Sequence, residues 1–134
     1  MKLIKQEHKF GCGIACIASI LNIKYKNALR LFKNGEKRAE KIPDFYCKEM
    51  IWILKNQGLN YEYKYVKNKI KKRIYQPNSI VFIKRTKKYK YGHYLIRINS
   101  RWMDPWINLP DKNIRAGYRK RLPAKPIYVL FAIQ

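Results

Sequence analysis

The 134-residue chain has few acidic residues and no long apolar segment. Only 8 Asp and Glu residues stand against 31 Lys and Arg, which gives a formal net charge of +23 at pH 7. No run approaches the roughly 20 apolar residues that a membrane-spanning helix needs. The first ten residues are charged and lack the apolar core of a signal peptide. We therefore expect a cytoplasmic protein without a membrane span, whose positive field attracts acidic partners.

Cysteine and histidine are also scarce, which limits the sites that the chain could build. The three cysteines are an odd number without the spacing of a disulfide framework. Cys12 and Cys16, joined by Cys47 and a histidine, leave one zinc alternative open, although no second closely spaced pair supports it. We expect neither a metal nor a cofactor, and we expect Cys16 and Cys47 to lie in the core.

The hydrophobic fraction of 47% predicts a folded chain, and no linker or repeat divides it, so we expect residues 1–134 to form one domain. Apolar residues at helical spacing predict helices over 12–22, 25–37 and 43–58. Alternating or β-branched runs predict strands over 59–66, 79–84, 92–99, 101–104 and 127–133. This order predicts an α+β fold, with N-terminal helices packed on a C-terminal antiparallel sheet.

One short segment near the start carries residues for nucleophilic chemistry. Cys12 stands between Gly11 and Gly13 at the predicted start of the first helix, six positions after Gln6. The thiolate is the nucleophilic form of cysteine, and the partial positive charge at a helix N-terminus favours that anion. We expect the two glycines to leave room for a substrate backbone to approach the sulfur.

Strand geometry predicts the base and its partner. His93 begins an alternating strand, whereas His8 lies in a polar segment and is expected to face solvent. A two-residue hairpin turn at 99–100 makes His93 and Asp104 diagonal neighbours on one face, within reach for a Cys-His-Asp site. A three-residue loop puts Asp104 on the opposite face, and a cap on the turn before Pro105 is its alternative role. The fallback orienting residues are Asn99, Asn108 and Asp111.

The order of these motifs resembles the papain-like cysteine peptidases that process bacteriocin leaders, the double-glycine leader peptidases. The resemblance spans residues 6–105 and rests on Gln-x5-Cys-Gly, Gly-His and Asp-Pro. It implies a compact papain-like domain and a thiol protease that hydrolyses a peptide or protein substrate through a thioester. The roles that it implies are nucleophile for Cys12, general base for His93, orienting partner for Asp104 and oxyanion-hole donor for Gln6.

Basic residues cluster over 67–73, 84–91 and 115–121. Segment 84–91 ends directly before Gly92-His93, so it is expected either to border the cleft and favour acidic substrates or to form a solvated hairpin tip. The other two segments are assigned only charge, and a lysine-rich composition on solvated faces is the non-functional explanation. Basic residues interleaved with Tyr and Trp also fit nucleic acid. The alternative functions are a nucleic-acid-binding module and a catalytically silent protein-binding module on the same fold.

Overall fold

The computed structural model describes residues 3–133 and has a mixed α+β architecture, with helices first and an antiparallel sheet second. The helices are α1 (Cys12–Leu21), α2 (Tyr25–Leu29), α3 (Gly35–Lys41) and α4 (Cys47–Asn56). The strands are β1 (Tyr61–Tyr65), β2 (Ile80–Ile83), β3 (His93–Ile98), β4 (Arg101–Asp104), β5 (Gly117–Arg119) and β6 (Pro126–Ala132). A 3₁₀ helix (Asn68–Tyr75) joins β1 to β2. The predicted α+β class is confirmed.

The sheet has six strands in the order β1-β6-β2-β3-β4-β5, and each neighbouring pair is antiparallel. The helices cover one face, where α1 packs on β3 and α4 on β1. Alternation along β3 sends Tyr94, Ile96 and Ile98 into this larger core, whereas Leu95 joins a smaller core on the other face. Trp102 of β4 lies in the smaller core. Asp104, two residues further along β4, has the same facing.

Helix α1 forms as its apolar periodicity predicts. Seven of its ten residues are buried, and the helix ends where Asn22 adopts a left-handed conformation with φ of 55°. Asparagine tolerates this conformation better than most residues, so the chain can turn away there. None of the helices in residues 3–133 combines the length and apolar character needed to cross a membrane.

Two helix predictions are wrong in their bounds. The single helix predicted over 25–37 is split: α2 already ends at Leu29, and α3 begins at Gly35, directly after Asn34 turns the chain with φ of 52°. A side chain at Gly35 would collide with the Leu29 carbonyl oxygen, so the tight turn requires glycine. The helix predicted from residue 43 begins only at Cys47, because the chain is still extended at Tyr46, with φ of −90° and ψ of 158°.

The strand predictions hold to within two residues at each end, but β5 and the 3₁₀ helix were not predicted. The β3–β4 hairpin has the two-residue turn, with Arg97 opposite Trp102 and Ile98 opposite Arg101. Asn99 takes the positive φ, at 56°, that such a turn requires. The register that places His93 and Asp104 on one face is therefore confirmed.

Candidate active site

Cys12 is the first residue of α1, and its partly exposed side chain lines a cleft. Gly11 precedes it as the N-cap and offers the helix no side-chain hydrogen bond. The first N–H groups of a helix have no acceptor within it, so the backbone at Cys12 presents donors and a partial positive charge. The Tyr94 N–H donates to Cys12 Sγ at 3.5 Å, which joins the thiol to β3.

His93 opens β3 and is only 3% exposed. Its Nε2–H donates to Asp104 Oδ1 at 2.6 Å. His93 and Cys12 line the same cleft, and Nδ1 is the ring nitrogen that the Asp104 contact leaves free. Burial disfavours the charged ring, but the interactions with Cys12 and Asp104 outweigh it and raise the pKa of His93 to about 9. These neighbours therefore favour the protonated ring.

Asp104 ends β4 and has no exposed surface. Its Oδ1 accepts the Trp106 N–H at 3.0 Å as well as the His93 bond, so the same carboxylate caps the turn and orients the imidazole. Burial by itself raises the pKa of this carboxyl. The bonds from His93, Arg119 and the Trp106 N–H prevail and lower it to about 2. The two roles considered for Asp104 are thus compatible in one side chain.

Two further residues lie around His93 and Asp104, and neither was predicted from the sequence as part of the site. Arg119 in β5 donates from Nε to Asp104 Oδ2 at 2.7 Å. Tyr89 is buried in segment 84–91, and its ring stacks on His93 with 5.2 Å between ring centres. Arg119 lies in a three-residue strand that has no alternating apolar pattern, so the sequence signal for its position is weak. Such a strand cannot be placed from the sequence alone.

Gln6 reaches the cleft but has most of its polar atoms committed. Its side chain is buried, and Nε2 donates to the carbonyls of His8 at 2.9 Å and Lys9 at 3.1 Å. Oε1 is buried and has no hydrogen-bond partner among the described residues. The Gln6 main-chain N–H donates to the Pro105 carbonyl at 3.1 Å, tying the N-terminal segment to the chain just after Asp104. Its role as an oxyanion donor stays a prediction.

The glycines beside Cys12 serve packing rather than substrate access. A side chain at Gly11 would collide with the Tyr25 hydroxyl, and one at Gly13 would press on Met50 and Tyr94. The expectation that both glycines leave space for a substrate is therefore wrong, because protein atoms already fill that space.

The cleft beside Cys12 has a volume of about 580 Å³. Aromatic and other apolar side chains form much of its lining, including Tyr46, Tyr63, Phe82 and Tyr128. Basic side chains border it, and no Asp or Glu from residues 3–133 lines it. These basic residues are Lys9, Lys48, Arg85, Lys88 and Lys90. Segment 84–91 thus borders the cleft, which is the first of its two expected placements.

The comparison with known proteins gives no family. No family model and no curated protein matches this chain. The chemistry that the site supports therefore follows only from its own residues and their geometry.

Cys16, Cys47 and His8 are not part of the Cys12, His93 and Asp104 group. Cys16 is fully buried, and Cys47 is nearly so, with its sulfur 3.7 Å from the Tyr94 hydroxyl. Burial raises the pKa of both thiols. His8 does not face solvent as expected, because its Nδ1 contacts the Tyr25 hydroxyl at 3.0 Å and its side chain is only 16% exposed.

Metal-ligand geometry occurs once in residues 3–133, away from Cys12. The possible ligand atoms of His8, Glu36 and Glu40 lie within 4.8 Å of one another. The two glutamates are exposed, and exposed acidic groups commonly lie together without an ion. The zinc alternative built on Cys12, Cys16 and Cys47 finds no such grouping in the described part of the chain.

Proposed function

We propose that this protein is a papain-like cysteine peptidase that hydrolyses a peptide or protein substrate. The observation that carries the proposal is the His93–Asp104 bond of 2.6 Å in a cleft that His93 shares with Cys12, the first residue of α1. The Cys12 sulfur accepts the N–H of Tyr94, the residue next to His93. Nucleophile, base and orienting group in this sequence of contacts form the general pattern of covalent acyl transfer. Cys12 is far from His93 and Asp104 in the sequence, so the fold brings the three residues together, and chain proximity does not.

The proposed reaction begins with the Cys12 thiolate and the His93 imidazolium. The sulfur attacks the substrate carbonyl carbon, and the carbonyl electron pair moves to oxygen. His93 gives its proton to the leaving amine as the carbon–nitrogen bond breaks, leaving a thioester on Cys12. Water then attacks the thioester while His93 takes its proton, and the carbon–sulfur bond breaks to release the acid. Asp104 holds the imidazole in one tautomer throughout.

The oxyanion is assigned to two donors. The Cys12 backbone N–H is the first, because no acceptor within α1 can bind it. Gln6 is the second, and it becomes available by redirecting the longer of its two bonds, which goes to the Lys9 carbonyl. Losing one such donor costs about 10²-fold to 10³-fold in kcat. Gln6→Ala is therefore expected to lower kcat by that amount.

We assign the substrate to acidic segments, because the cleft is bordered by Lys and Arg without a carboxylate in the described chain. Like-sign residues around a cleft raise the local concentration of oppositely charged ligands, and salt weakens the effect. Peptides with Asp and Glu are expected to be cleaved with higher kcat/KM than their Asn and Gln counterparts. The difference should shrink as the salt concentration rises.

Iodoacetamide labelling across pH, with adducts located by mass spectrometry, tests the chemistry before any substrate is known. Cys12 is expected to label at pH 6–7, where ordinary thiols are protonated. Cys16 and Cys47 serve as internal controls because burial raises the pKa of both. His93→Ala should slow labelling of Cys12 at these pH values, and Cys12→Ala should abolish that adduct. Equal labelling of the three cysteines would contradict the proposal.

Nucleic-acid binding is the second candidate, and one surface feature favours it. Tyr46, Trp52 and Tyr65 are each at least 59% exposed, and Lys48, Lys55 and Lys64 lie within three positions of them in the sequence. Exposed aromatic rings among basic residues suit single-stranded nucleic acid. Binding of single-stranded RNA that falls steeply with salt, together with an unreactive Cys12, would favour this function over the peptidase.

A further inference from the structure

Asp104 lies between two partners because β4 is flanked by β3 and β5. Trp102 pairs with Arg97 on β3 and with Arg119 on β5. Asp104 is two residues further along β4, so His93 and Arg119 are its diagonal neighbours on opposite sides. The sheet thus delivers an imidazole and a guanidinium to the same carboxylate from two different strands.

The Asp104 carboxylate is fully engaged. Oδ1 receives His93 Nε2 at 2.6 Å and the Trp106 N–H at 3.0 Å, while Oδ2 receives Arg119 Nε at 2.7 Å. A buried carboxylate is tolerated only when it is paired and hydrogen-bonded. Without Arg119, Oδ2 would face a buried environment with no cation, and the carboxylate could rotate away from the imidazole.

Tyr89 closes a ring of contacts around the base. Its ring stacks on His93 at an angle of 24° between the ring planes, and its hydroxyl is 3.3 Å from Arg119 Nη2. Tyr89 is itself held by Thr86, with the main-chain N–H of each residue donating to an oxygen of the other at 3.0 Å. The four side chains of Tyr89, His93, Asp104 and Arg119 therefore constrain one another.

We propose that Arg119 and Tyr89 are positioning residues of the base, with Arg119 fixing Asp104 from β5 and Tyr89 fixing the ring plane of His93. This inference rests on the proposed peptidase function and extends it to how the base is held. In this role Arg119 acts through Asp104 and Tyr89 acts through His93.

Arg119 also has an electrostatic consequence for the proton on His93. The groups that face His93 are Cys12 from α1, Asp104 from β4 and Tyr89 from segment 84–91, with Arg119 behind Asp104. Cys12 and Asp104 favour the protonated ring, whereas the Arg119 cation offsets part of the Asp104 charge. Arg119 thus makes the proton easier to deliver to a leaving amine.

The test is the protonation of His93 followed by NMR of the imidazole nitrogens. The chain has two histidines, so a His8→Gln background leaves the His93 signals unambiguous. Glutamine keeps an amide donor for Asp104 Oδ2 but removes the cation, so Arg119→Gln is expected to move the deprotonation of His93 upward by about one pH unit. Arg121→Gln, which removes an exposed arginine two residues away, is the matched control and should leave the signals in place.

Reactivity and turnover provide the second readout. Arg119→Gln should lower kcat about tenfold with KM little changed, since one pH unit corresponds to a tenfold change in proton affinity. Arg119→Lys keeps the charge and should return the His93 titration to near the original value, and it is informative even if Arg119→Gln fails to fold. A titration and an iodoacetamide rate that match the wild type in Arg119→Gln would overturn the assignment.

Tyr89 is tested with two variants that separate ring from hydroxyl. Tyr89→Phe keeps the stacked ring and should retain most of the iodoacetamide reactivity of Cys12, whereas Tyr89→Leu should lose several-fold. Equal reactivity in both variants would overturn the role of Tyr89. An unreactive Cys12 in the wild type would instead contradict the peptidase itself, so the two failures are distinguishable.

Discussion

Arg38 and Arg119 both hold carboxylates, one among the helices and one at the sheet, and their surroundings differ. Arg38 contacts Asp44 at 3.0 Å and Glu49 at 2.6 Å, and all three side chains remain partly exposed. Arg119 contacts Asp104, whose side chain has no exposed surface. Water can replace a lost partner at the first site but cannot reach Asp104 at the second without a local rearrangement.

The comparison shows that the stability lost with one partner of an ion pair depends on whether water can hydrogen-bond the partner that remains. The Arg38 cluster joins the extended segment before α4 to α3, and its guanidinium lies 4.5 Å from the centre of the Phe45 ring. It is a structural contact of ordinary strength. Asp104 also hydrogen-bonds His93, so under the proposed function the loss of the Arg119–Asp104 pair adds a loss of activity to a loss of stability.

The largest expected effect comes from deleting a carboxylate at each site. Asp104→Ala should lower the free energy of unfolding by about 3 kcal/mol, because it leaves Arg119 and the buried His93 without their common partner. Asp44→Ala should lower it by less than about 1 kcal/mol, as is usual for a partly exposed pair. Urea denaturation monitored by tryptophan fluorescence measures both. Similar losses in the two variants would remove the distinction between the sites.

The next effect compares two glycines with a left-handed backbone. Gly92, just before His93, has φ of 76°, and a side chain there would collide with the Phe82 ring. Gly58, just after α4, has φ of 86° and no heavy atom within 4 Å of an added Cβ. Gly58→Ala should cost about 1 kcal/mol for the backbone alone. Gly92→Ala should cost about 1–3 kcal/mol more, from the collision.

Calorimetry of the two glycine variants should rank them in that order. Gly92→Ala should also slow the iodoacetamide labelling of Cys12, since moving Phe82 or residue 92 displaces the start of β3. Gly58→Ala should leave labelling unchanged. An effect of equal size in the two variants would mean that Phe82 yields without disturbing His93.

The last comparison is a pH dependence expected at the sheet site. The pKa of His93 is raised from its ordinary value to about 9, so its contribution to stability is present below pH 6.5 and is lost as the pH rises towards 9. The pKa of Asp104 is lowered to about 2, so its contribution is present above pH 3.8 and is lost as the pH falls through 2. Unfolding free energies measured across pH should therefore fall between pH 6.5 and 9.

A variant at each site assigns this alkaline loss. His93→Gln should flatten the profile between pH 6.5 and 9. Arg38→Gln should keep the profile and only lower it, because hydrogen bonds to Glu49 and Asp44 raise the pKa of Arg38 still further above its already high value. An alkaline loss that persists in His93→Gln would assign it to another group.

Much of the candidate site could be predicted because it depends on local rules. The start of α1 at Cys12 follows from apolar periodicity, and the pairing of His93 with Asp104 follows from a two-residue turn. Both rest on interactions within a few residues of chain. The same rules failed over 25–37, where α2 ends at Leu29 and a separate helix, α3, begins at Gly35.

Other parts of the site depend on contacts between distant segments and carry no local signal. Arg119 lies in a basic stretch that the sequence marks only as charged, and its role emerges when β5 pairs with β4. Gly11 was expected to leave room for a substrate, but the Tyr25 hydroxyl occupies the space beside it. His8 was expected to be exposed, but its ring contacts the Tyr25 hydroxyl.

The sequence by itself determined the α+β order, the helix that begins at Cys12 and the hairpin that joins His93 to Asp104. Periodicity and turn length are properties of short segments, so they survive without knowledge of the rest of the chain. Only the tertiary structure decided that Arg119 contacts Asp104, that Tyr89 stacks on His93, and that protein atoms fill the space beside Gly11 and Gly13. Those facts arise from pairing and packing between elements far apart in sequence, where no local pattern constrains which side chains meet.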